Sequence, residues 1–156
     1  NEPGVLARVI GLFSGRGYNI ESLTVAETDL EHNLSRITIV TNGTPMIIEQ
    51  IKAQLARLVP VHNVTDLTLD GKSVERELAL VEIVGTGNVR VESLRIADIF
   101  RARVLDSTNE SFVFEIVGNT GKLDAFIELM QPLGLVDVSR TGVVAIARGT
   151  TPLNVA

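Results

Sequence analysis

The chain contains no cysteine and no tryptophan, one tyrosine, and only 4% aromatic residues among its 156 positions. Without cysteine there is no disulfide framework, no thiolate nucleophile and no cysteine-based zinc site, a composition that suits a reducing cytoplasm. So few aromatics leave no stacking platform for single-stranded nucleic acid. Lys and Arg total 14 against 19 Asp and Glu, for a net charge of -5 and a pI near 5.0. Nucleic-acid affinity comes largely from cationic side chains displacing counterions, so a phosphate-binding surface is not expected. No apolar run approaches the roughly 20 residues needed to cross a bilayer, and no signal-peptide pattern is visible, so no membrane role is expected. What the chain has is 45% hydrophobic and 21% charged residues, enough for a globular core.

Its organisation shows two halves built on one plan. Leu6, Val9, Ile10 and Phe13 recur at helical spacing behind Pro3 and Gly4, and Gly15 to Gly17 end the helix they predict. Ile20–Val25 and Arg36–Thr41 have strand chemistry, joined by a polar loop from Thr28 to Leu34. Thr44 can cap and Pro45 can open a second helix, whose stripe is Ile47, Ile48, Ile51, Leu55 and Leu58. Val61–Leu69 reads as a further strand. The polar stretch from Asp70 to Glu77 marks a boundary, giving one domain over 1–70, a linker over 71–77, a second domain over 78–149 and a tail over 150–156.

Beyond that boundary come a strand at Leu78–Val84, a helix from Val89 to Arg101, strands at Arg103–Ser107 and Ser111–Val117, a helix at Lys122–Gln131 and a strand at Leu135–Ser139. A last short strand is expected within Gly142–Arg148. The fold class expected is α+β: two ferredoxin-like βαββαβ domains, each an antiparallel sheet with its helices on one face. The first half lacks its opening strand. Either residues ahead of Asn1 supply it or another segment fills the gap.

Several tempting motifs fail. VEIVGTGNVR, residues 81–90, places Gly85 and Gly87 after a strand and before a helix, but Arg90 stands where a dinucleotide fingerprint needs its third glycine. Around Gly118 to Leu123 a phosphate loop is imitated, with Ile116 at its first glycine position and Leu123 at its hydroxyl position. His32 and His62 lie in different segments outside any metal-ligand spacing, and Ser14 has no strand before it, so no catalytic apparatus and no metal site is expected on this chain.

The amino-terminal segment carries the strongest chemical signal. A free amino acid needs donors for its carboxylate, acceptors for its ammonium and a pocket for its side chain. The N–H groups of Gly4, Val5 and Leu6 open a helix, where they have no intrahelical partner and where the dipole is positive. Asn19 offers an amide beside the next strand, and Asn1 offers another just ahead of the helix. On this reading Gly4 leaves room for the ligand. The residues equally allow Asn1 to be a helix cap and Asn19 a turn residue serving only the backbone.

The segments NEPGVLARVIGLFSGRGYNIESLTV, VERELALVEI, FRARVLD, GKLDAF and SRTGVVAIARG, which together span nearly the whole chain, resemble the small, regulatory subunits of acetohydroxyacid synthase, also called acetolactate synthase. The resemblance implies an amino-terminal ACT domain and a ferredoxin-like second domain. It also implies a homodimer through paired ACT domains, valine bound at their interface, and association with a separate catalytic subunit. Thiamine diphosphate, magnesium and FAD would belong to that partner, and none to this chain. Family valine contacts fall on Asn1, Gly4, Asn19 and Ile20, with Val5 and Leu6 at the same helix start. Thr24 and Gln50 match places linked to altered feedback. In the arrangement this implies, Asn1, Gly4 and Asn19 of one chain hold the ligand's charged groups, and its isopropyl group faces the interface. The rival expectation is a free-standing ACT sensor of another amino acid.

Overall fold

The computed structural model describes residues 4–69 and 73–149. Their elements run α1 (Val5–Gly15), β1 (Ser22–Asp29), β2 (Leu34–Val40), α2 (Pro45–Ala56), β3 (Ser73–Val84), α3 (Asn88–Ile99), β4 (Arg103–Ser107), β5 (Ser111–Gly118), α4 (Thr120–Met130), a 3-10 turn (Gln131–Leu133), β6 (Leu135–Arg140) and β7 (Val144–Ala147). The chain forms two compact units. One takes the described residues up to Val74 together with those from Ala145 onward; the other is Glu75–Val144.

In the second unit the alternation of β3 sends Ala79, Val81 and Ile83 to one face, where Phe112, Phe114 and Ile116 of β5 join them. Ile96 and Ala97 of α3 and Leu123, Phe126 and Met130 of α4 close over that face. Asn119 caps α4 by accepting the Lys122 N–H at 2.9 Å. The sheet order is β4-β5-β3-β6, all antiparallel, with β7 also paired to β3. The α+β class with helices on one face of an antiparallel sheet is what the element pattern predicts. Gly134, at φ 90°, turns the chain into β6 so closely that a Cβ there would lie 2.0 Å from the Val84 carbonyl oxygen. Only glycine fits such a turn.

The first unit holds β1 and β2 as an antiparallel hairpin, in register from Ser22↔Val40 to Ala26↔Arg36 and beyond. Val9, Phe13 and Ile51 form its core, with Ile37, Ile39, Ile47, Ile48 and Leu55 packed around them. Thr44 caps α2, its Oγ1 accepting the Ile47 N–H at 3.3 Å, with Pro45 in the first turn as the sequence predicts.

Three expectations are corrected. Val61–Leu69 forms no strand: it is extended and turned, with Asp66 accepting from the Thr68 N–H and hydroxyl. The second unit shows why. There the unit's first strand, β3, lies between its third, β5, and its last, β6. By the same plan, the last strand of the first unit would pair with an opening strand, and no described residue occupies that slot. A strand without a ladder partner leaves its backbone groups to water and turns. Second, β3 begins at Ser73, inside the stretch expected as linker, of which residues 71 and 72 lie outside the described ones. Third, the apolar face read from Leu6, Val9, Ile10 and Phe13 is only partly covered: Val9 and Phe13 are buried, while Leu6 and Ile10 are each 38% exposed. A hairpin is too narrow a sheet to cover the whole apolar stripe of α1.

Candidate functional site

The start of α1 has the backbone expected of an anion-receptive helix end. Gly4 is the N-cap at φ 84°, no described side chain caps the helix, and the first helical bond runs from the Arg8 N–H to the Gly4 carbonyl at 3.0 Å. The N–H groups of Val5, Leu6 and Ala7 lie ahead of that bond. A Cβ at Gly4 would meet no described atom within 4 Å, so glycine is demanded here by the left-handed backbone rather than by protein crowding. Asn1, the other amide of this end, lies outside the described residues.

Asn19 is exposed, and its side chain bonds no described residue; only its carbonyl oxygen is engaged, accepting from the Thr41 hydroxyl at 2.5 Å. Its amide is thus not spent on the turn. Ile20 packs into the Val9–Phe13–Ile51 cluster. Gln50 reaches across from α2 to accept from the Tyr18 hydroxyl at 3.3 Å. Thr24 pairs with Thr38 on the alternate face of the hairpin from Leu23 and Val25.

Gly4 and Asn19 lie at different points along α1. The Tyr18 N–H donates to the Phe13 carbonyl at 2.9 Å and the two rings meet edge to face at 5.9 Å, so Asn19 follows the last turn of α1. From Gly4 to Phe13 the helix axis rises about 14 Å. The two halves of the constellation sit at opposite ends of α1.

The competing sites have structural explanations. His32 Nδ1 lies 2.9 Å from Asp29 Oδ2, and Asp29 Oδ1 also accepts the N–H groups of Glu31 and His32, closing the β1–β2 turn. The His32 side-chain bond comes first among the interactions that hold the Asp29 carboxyl below its ordinary value of 3.8. Gly85 donates to the Glu110 carbonyl at 2.7 Å, and Arg90 stacks on Phe112 at 3.9 Å, so the apparent dinucleotide loop is a packed turn. Lys122 directs its ammonium onto the Val117 carbonyl at 3.1 Å rather than towards a phosphate. Among the described residues no group of three or more His, Cys, Asp or Glu could hold a metal ion, and no helix is long and apolar enough to cross a membrane.

A polar cluster that sequence reasoning missed ties VEREL to SRTGVVAIARG. Glu77, with its side chain 5% exposed, binds Arg140 Nη2 at 2.6 Å and the Gly142 N–H at 3.2 Å, while Arg140 Nη1 reaches Asp124 of α4 at 2.7 Å. Thr141 completes the junction by accepting the Leu78 N–H at 3.1 Å. The Glu77 bond is the largest influence raising the Arg140 pKa above its ordinary value. The only signal available in the sequence was a glutamate on the apolar side of a strand's alternation.

The family model described as AHAS small subunit-like ACT domain matches residues 1–63, and that described as small subunit of acetolactate synthase matches residues 76–149. The chain belongs to the acetolactate synthase small-subunit family. It is 49% identical over 150 residues to the acetolactate synthase isozyme 3 small subunit of Escherichia coli, covering 96% of this chain and 91% of that one. With a probable acetolactate synthase small subunit of Archaeoglobus fulgidus it shares 46% identity over 149 residues, covering 96% and 92% of the two chains. The crystal structure of the acetolactate synthase small subunit from Thermotoga maritima superposes with a TM-score of 0.84 at 38% identity, over 97% of this chain and 93% of that one. The same fold therefore recurs in that small subunit.

Proposed function

We propose that this chain is the non-catalytic regulatory subunit of an acetolactate synthase complex in the cytoplasm. It binds valine between the ACT domains of two copies and adjusts the activity of a separate catalytic subunit in branched-chain amino acid biosynthesis. The thiamine diphosphate chemistry, with its magnesium and FAD, resides on that partner, and this chain carries no cofactor. The observation that carries the reading is the separation of the two receptive ends of α1. The N-terminus beginning at Gly4, capped by no described side chain, suits a carboxylate. The unengaged amide of Asn19 suits an ammonium or carboxylate, and a ligand small enough for both must meet them from different protomers. Leu6 and Ile10, left half-covered beside that helix start, supply apolar surface for the second copy and for the isopropyl group.

Inhibition follows if valine binds the less active arrangement of the complex more tightly than the active one; equal affinity for both would change nothing. Calorimetric titration of valine into the purified chain, paired with assays of acetolactate formation by the catalytic subunit with and without it, tests the reading. Valine binding at one site per interface and a valine-sensitive change in activity are expected. Absence of binding at millimolar valine, with the dimer intact, refutes it.

A further inference from the structure

The second unit has helices on one face of its sheet only. Register identifies what the other face carries. One cross-strand row is Arg103–Glu115–Leu80–Ser139, and the next is Asp106–Val113–Glu82–Asp137. Leu78 with Val117 and Val84 with Ser111 form the rows on either side. Leu80, Val84 and Val117 remain 38%, 42% and 44% exposed. Glu115 has Arg103 at 4.0 Å, whereas Glu82, Asp137 and Asp106 have no cationic partner among the described residues.

Glu82 and Asp137 stand directly opposite each other, a placement that weakens a sheet through like-charge repulsion. An apolar surface crossed by an uncompensated acidic row fits a partner that presents Lys or Arg between apolar side chains. A second copy in two-fold contact would bring one acidic row against another, which charge disfavours. We infer that this open face of the β4-β5-β3-β6 sheet docks a basic, apolar-flanked surface of the catalytic subunit. The inference rests on the reading of the chain as a regulatory subunit.

The test uses the full chain, the catalytic subunit of the same organism, and binding measured over a salt series. Wild-type affinity should fall as salt rises, because exposed ion pairs are screened. Glu82→Lys with Asp137→Lys should weaken binding at least tenfold at low salt, and the neutral pair Glu82→Gln with Asp137→Asn should weaken it less and flatten the salt dependence. Both variants should keep wild-type self-association; the neutral pair should melt no lower than wild type, since it relieves the repulsion, and the charge-reversed pair should melt close to wild type, since it exchanges one like-charge pair for another. Wild-type affinity in the charge-reversed variant overturns the surface while leaving the functional reading intact. Loss of self-association with catalytic-subunit binding retained shows the face to be an interface between copies and also overturns it. If the wild-type chain binds no catalytic subunit at any salt concentration, the functional reading fails and this surface fails with it.

Discussion

Removing Arg140 should harm the protein more than neutralising the glutamate it binds. In the native cluster Glu77 is 5% exposed at its side chain and is held by Arg140 at 2.6 Å and by the Gly142 N–H at 3.2 Å. Arg140→Met leaves that carboxylate buried with one neutral donor, and stranding a buried charge costs about 3 kcal/mol. The bond lost to Asp124 adds little, because that side chain is 59% exposed and surface pairs contribute about 0.5 kcal/mol.

Glu77→Gln keeps the shape and an acceptor, while Arg140 remains 30% exposed to water and paired with Asp124; its cost should be nearer 1.5 kcal/mol, that of a charge-assisted bond made neutral. The double variant should then cost less than the sum of the two, since the stranded charge has gone. Urea unfolding followed by circular dichroism measures all three free energies, the change appearing in the transition of the second unit. A cost for Arg140→Met equal to or below that for Glu77→Gln would refute the claim that burial of the carboxylate dominates this cluster.

Gly4→Asp should abolish valine inhibition while activation of the catalytic subunit persists, because a carboxylate would stand where the ligand's own is received; inhibition at the usual valine concentration in that variant counts against the site. Asn19→Ala should weaken valine binding by about 1 to 3 kcal/mol, roughly 5- to 150-fold in Kd by calorimetry, with the fold unchanged because the amide serves no described backbone group. Leu6→Lys with Ile10→Lys should convert the dimer to monomer in sedimentation experiments without loss of helix content, since neither side chain is needed to fill the core. The Asp29 carboxyl titrates below 3.8, so its contribution to the β1–β2 turn is complete above that pH and is lost as pH falls through the lower folded value. A carbon-detected NMR titration showing a midpoint at or above 3.8 would contradict the turn geometry.

The amino-acid order determined the local elements because each carries its own signal. Helical spacing marked α1 and α2, Thr44 and Pro45 marked the start of α2, and the alternation of Ala79, Val81 and Ile83 marked the buried side of β3. The resemblance carried by RGYNIESL and VEREL located the family, and with it Gly4 and Asn19. Tertiary structure decided whatever depends on a neighbour. Val61–Leu69 has strand-forming residues, but a strand is a pair property, and no described strand pairs with it. Leu6 has the spacing of a core residue, but the two-stranded sheet cannot cover it. Gly4 and Asn19 are close in sequence, yet one opens α1 and the other follows its last turn, because the rise of a helix, about 14 Å from Gly4 to Phe13, converts chain separation into distance along its axis. The pairings of Glu77 with Arg140 and of Glu82 with Asp137 join residues more than fifty positions apart. No local pattern encodes such a contact; only the register of the folded sheet creates it.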